Sequence, residues 1–76
     1  MTTDAYTITL AREYVALLTT LRNGQYDGEA EWQALDRERQ TTHNELCRVL
    51  SVDRNEDMYR LCRNLLHTAR AQGEYE

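Results

Sequence analysis

Apolar residues recur at three- and four-residue intervals along most of this chain, which is the spacing of a single helix face. Leu10, Tyr14, Leu17, Leu18 and Leu21 form one such stripe and predict a first helix over about 4–22. Trp32, Leu35, Leu46, Val49 and Leu50 predict a second over about 29–50. Met58, Leu61, Cys62, Leu65 and Ala69 predict a third over about 54–72. The punctuation agrees with the stripes. Asn23-Gly24 supplies the left-handed residue that ends helices, and Asp27 stands as an N-cap with Glu29 and Glu31 in the first turn behind it. Asp53-Arg54-Asn55-Glu56 has the form of a capping box for the third helix, and Gly73 stops it. The start of the first helix is the least determined. Thr7, Ile8 and Thr9 favour strand, so Tyr6 to Leu10 also reads as extended.

Short connections make consecutive helices antiparallel. The expected architecture is a small all-α antiparallel three-helix bundle, one domain over residues 1–76, with fraying at 1–5 and an acidic tail at 73–76.

The second stripe is interrupted at its centre. Arg39, Thr42 and His43 occupy the places where leucine continues the series. A charge on a burying face is costly unless it is paired, so this layer requires a partner in the fold, in a second subunit or in a ligand. Folding about the first turn brings Glu13 opposite Arg37–Arg39, which makes Glu13 the expected partner of Arg39.

A chain of 76 residues builds only a marginal core, so self-association as a dimer is expected. All nine basic residues are arginine, a residue suited to interfaces, although base-composition bias in the genome is the plainer account. The net charge of −4 is spread along the chain with no basic block. That argues against general affinity for nucleic acid or for anionic membranes. The longest apolar stretch, Leu10 to Leu21, contains Arg12 and Glu13 and is too short to span a bilayer. The first residues do not form a secretory signal, and two cysteines make no disulfide framework, so a cytoplasmic protein with reduced thiols is expected.

Four groups of residues invite a chemical reading. His43, Cys47, Cys62 and His67 have the composition of a zinc set, but a spacing of five points Cys62 and His67 about 140° apart on a helix. His43 and Cys47 have the spacing of a thiolate–imidazole pair, yet no orienting third group is legible, so neither a metal, a cofactor nor an enzyme is expected. Arg60, Arg63, His67 and Arg70 form a cationic stripe, with Arg54 just before it; the ordinary reading is a solvated helix face, the functional one an anion site. Tyr26, Trp32 and Tyr59, with Ile8 and Val15 on the outer side of the first helix, are candidates for a protein interface.

The expected function is therefore a non-enzymatic helical protein that docks on a larger protein machine and modulates or inhibits it. Small acidic inhibitors deployed by phages and plasmids share this size and charge. The alternatives are an oligomeric binder of a small anionic ligand or nucleotide, and a small regulator contacting nucleic acid.

Overall fold

The computed structural model describes residues 4–71, which form three helices: α1 (Ala5–Arg22), α2 (Gly28–Leu50) and α3 (Met58–Ala71). No strand occurs among the described residues. The three-helix bundle expected from the apolar stripes is what the chain forms. The Met1–Thr3 part of the expected frayed start, the Gly73 stop, Tyr75 and the acidic tail lie outside the described residues.

The threonine-rich start is helical because Asp4 caps it. Its carboxylate accepts the Thr7 amide at 2.7 Å, and Thr9 Oγ1 donates to the Ala5 carbonyl one turn back. That backbone hydrogen bond holds the Asp4 carboxyl below its ordinary pKa. At the other end Gly24, with φ +66°, closes a Schellman motif. The Gln25 amide donates to the Thr20 carbonyl and the Gly24 amide to that of Leu21. Asp27 precedes α2 as expected, although its side chain makes no capping hydrogen bond.

α1 is the central element, packed against both α2 and α3. Tyr6 reaches Glu45 and Tyr14 reaches His43, so α2 runs antiparallel to α1. Arg22 sits over Tyr59, and Leu66 and His67 share a groove with Val15 and Thr19, so α3 is antiparallel to α1 as well. The two flanking helices consequently run in the same direction, so the antiparallel arrangement expected of α2 and α3 from their short connection does not hold, and that connection must retrace α2. It does so over residues 51–57: Cys47 Sγ meets the Asp53 carbonyl and His43 Nε2 the Arg54 carbonyl.

This route moves the start of α3. Asp53 Oδ1 accepts from the Asn55 amide, and its carbonyl accepts from Glu56, which is a turn and not a helix cap. The cap is Asp57, whose Oδ1 accepts the Arg60 amide at 3.2 Å. Residues 53–57 are all polar and would bury nothing as helix, so the chain spends them on the crossing.

The core cluster joins Leu10, Ala11 and Tyr14 of α1 to Leu46 and Cys47 of α2 and Met58 and Cys62 of α3. Leu46, Met58 and Cys62 are fully buried. Burial of one such leucine or methionine contributes about 1.5–3 kcal/mol. Because α1 lies between two partners it buries two faces. Ile8 is only 6 % exposed, and Val15 packs against the core cluster. Both were expected on an outward contact surface. That expectation assumed a helix with one partner, and it fails for a helix with two.

Candidate functional site

The polar layer of α2 finds its partners within the chain, with Arg39 and His43 partly buried beside a cleft. Arg39 pairs with Asp36 in the preceding turn (Nε–Oδ1 3.0 Å), both side chains about three-quarters buried. The expected partner, Glu13, is exposed and lies in a cleft with Glu38, Thr41 and Glu45 instead. An ion pair within one helix needs no tertiary register, and Asp36 stands at the i,i−3 position that satisfies Arg39 first. Thr42 is buried, and its hydroxyl donates to the Glu38 carbonyl.

His43 is fixed at both ring nitrogens. Nε2 lies 3.3 Å from the Arg54 carbonyl, which can only accept, so Nε2 carries the proton. Nδ1 then accepts from the Tyr14 hydroxyl at 3.4 Å, with the two rings tilted 49° at a centroid distance of 5.8 Å. Burial pushes the Tyr14 hydroxyl above its ordinary pKa, and the nearby Arg39 guanidinium opposes that shift. Tyr14 is thus the member of the layer that sequence reasoning missed. Its place in the apolar stripe of α1 gave no sign of a polar partner on α2, and the register that sets Tyr6 against Glu45 puts Tyr14 level with Arg37, so the side chain reaches along α2 to His43.

The thiols are placed for packing. The Cys62 thiol is pushed up to about 12 by burial, which keeps it neutral near physiological pH. Cys47 directs its hydrogen toward the Asp53 carbonyl, at 3.9 Å, and both nitrogens of His43 are engaged elsewhere, so no thiolate–imidazole pair forms. Among the described residues no group of three or more His, Cys, Asp or Glu side chains is placed to hold a metal ion.

The cationic stripe of α3 is divided. Arg63, His67 and Arg70 line a groove of about 290 Å³ between α1 and α3, floored by Val15 and Leu66 and closed by Thr19 and Tyr59. Arg60 is exposed and does not line it, whereas Arg54 sits in a separate cleft beside Arg39 and His43. Tyr59, sought as a protein-interface residue, belongs here. The Arg22 guanidinium lies over its ring at 4.5 Å, and Arg63 Nη1 donates to its hydroxyl at 3.1 Å. The hydrogen bond from Arg63 holds that hydroxyl below its ordinary pKa, and Arg22 acts in the same direction. Periodicity within one helix could not bring Arg22 to Tyr59; only the packing of α3 on α1 does so.

The turn between α1 and α2 forms an uncovered end of the molecule. Residues 28–34 of α2 are exposed throughout, and Trp32 is 40 % exposed. Leu21 just before the turn, Tyr26 within it and Leu35 after it are half-buried, and none belongs to the core cluster or packs against it. At the opposite end, Tyr6, Glu45 and Arg48 tie α1 to α2: Arg48 Nε and Nη2 each donate to Glu45 at 2.7 Å, and the Tyr6 hydroxyl donates to the same carboxylate.

Among the described residues no helix is long and apolar enough to cross a membrane. Compared with family models, curated proteins and solved structures, the chain matches none of them significantly.

Proposed function

We propose that this protein is a non-enzymatic docking module that binds a partner protein with the α1–α2 turn end of its bundle. The observation that carries the reading is the exposure of Trp32 on a run of α2, residues 28–34, in which every residue is exposed. Tryptophan is among the residues that most often dominate binding energy at protein interfaces, because a large rigid ring buries much area at little entropic cost. Leu21, Tyr26 and Leu35 supply half-buried apolar area around it, and Glu29, Glu31 and Arg37 supply the polar rim that interfaces need.

The internal pairing of Arg39, Thr42 and His43 also favours this reading, since the polar layer leaves no charge that a partner must satisfy. Modulation of a larger protein machine is the role that fits a module of this size without chemistry of its own.

The test is affinity capture from the native host with wild-type protein and Trp32→Ala, each checked for unchanged helicity. The wild type should recover one partner, and the variant should bind it about thirtyfold more weakly or less tightly still, the loss typical of an anchor residue. Equal recovery by both proteins, or a partner whose binding falls steeply with salt, would count against the reading. Light scattering on the purified protein distinguishes a second copy of the chain from a different partner.

A further inference from the structure

We propose that the groove between α1 and α3, lined by Arg63, His67, Arg70 and Tyr59, with Arg22 stacked on the Tyr59 ring beside it, binds the phosphoryl group of a small phosphate-bearing ligand. The site is separate from the turn end, and the proposal is independent of the docking surface there.

Three observations converge. First, the groove collects cationic side chains in a chain whose net charge is −4, and among the described residues no Asp or Glu lines it. Guanidinium groups brought together without a counter-charge repel one another, and a dianion in their midst reverses the sign of that interaction. Second, two of the guanidiniums are held in place before any ligand arrives. Arg22 rests on the Tyr59 ring at 4.5 Å, and Arg63 is anchored by its hydrogen bond to the Tyr59 hydroxyl at 3.1 Å. That bond uses one of the five N–H donors of Arg63, leaving the rest of the fork for the oxygens of a phosphoryl group. Less rotamer entropy is then lost on binding. Third, Arg63, His67 and Arg70 stand at i, i+4 and i+7 on one face of α3 and all line one groove of about 290 Å³, which limits the ligand to a small one.

Arg22 also decides which part of a ligand is recognised. It covers the Tyr59 ring where a nucleobase would stack, so the phosphoryl oxygens are the recognised element and the base is not. Val15 and Leu66 on the floor provide apolar contact for whatever carries the phosphate.

The experiment titrates the full-length protein with inorganic phosphate and, separately, with adenosine monophosphate, at ionic strength held constant with sodium chloride. Amide and arginine Nε resonances are followed by two-dimensional NMR. Saturable shifts confined to residues 59–70 and to Arg22 are expected with both ligands. Arg63→Gln should weaken binding about tenfold or more, since a charge-assisted hydrogen bond is lost. Tyr59→Phe, which keeps the ring and frees Arg63, should weaken it less, and Arg37→Gln on α2 should leave it unchanged.

Tighter binding of the nucleotide than of phosphate would show that the carrier also contacts the groove; equal affinity would identify free phosphate as sufficient. Shifts spread over all surface arginines, or equal affinity in Arg63→Gln with helicity intact, would overturn the proposal. Tight, length-dependent binding of an oligonucleotide would overturn it as well, in favour of a nucleic-acid surface.

Discussion

The two halves of α2 are built from similar residues and end in opposite states. From Arg39 to Leu50 the helix faces α1 and the returning 51–57 segment; His43 finds partners on both, while Arg39 and Thr42 are satisfied within α2 by Asp36 and the Glu38 carbonyl. From Gly28 to Ala34 every residue is exposed, including the only tryptophan of the chain, at 40 %. The difference teaches that burial along α2 follows what the rest of the fold lays against it and not local hydrophobicity alone. The returning 51–57 segment reaches His43 and Cys47, and α1 brings Tyr6 and Tyr14 to the same half, whereas residues 28–34 are exposed throughout. A polar layer inside and an aromatic residue outside are two consequences of that difference in cover.

Substitutions in the two halves should therefore separate widely. Leu46→Ala removes a fully buried side chain from the centre of the sealed half and should cost about 2–5 kcal/mol, read from chemical unfolding. That is a large part of the total stability expected of a domain this size, about 4–11 kcal/mol, so some loss of folded protein at room temperature is anticipated. Tyr14→Phe keeps the ring and removes the hydroxyl that bonds His43; it should cost about 1–2 kcal/mol by the same measurement. A cost near zero would mean that the layer is held by packing alone.

The clasp at the far end of the sealed half should show itself in acid. Glu45 is held at about 2, against an ordinary 4.5, first by the hydrogen bond from Arg48 and then by that from Tyr6. Because the folded state has the lower pKa, the ionised carboxylate supports the fold above about pH 4.5, and this support disappears as pH falls through about 2. Urea midpoints measured across that window should decline in the wild type and decline less in Glu45→Gln. The effect should be modest, since the Arg48 partner is exposed and solvent screens the pair. Trp32→Ala should change stability least, by about 0.5 kcal/mol or less, because its ring is outside the core. A large loss there would place Trp32 in the fold and remove it from any docking surface.

Much of this architecture was legible in the apolar spacing. The helix ends at Asn23-Gly24 and Leu50 follow from local chemistry that a sequence displays directly. The start of α3 was not legible, because Asp53 and Asp57 each head a plausible cap and only the path of the chain decides between them. Ile8 and Val15 were misplaced for a related reason: periodicity reports one face at a time, and a central helix has two. In the polar layer the residues of α2 were evident, while their partners were not. Arg39 took the local Asp36 over the distant Glu13, and Tyr14 was hidden among the leucines of its own stripe. The Arg22–Tyr59 contact required knowing that α3 packs on α1.

Amide hydrogen exchange along α2, measured in dilute solution, tests the division of this helix most directly. Amides from about Thr42 to Leu50 should exchange only on global unfolding, and those from about Trp32 to Leu35 should exchange orders of magnitude faster through local opening. Uniform protection over the whole of α2 would contradict the account, because the turn end would then be covered rather than open to a partner.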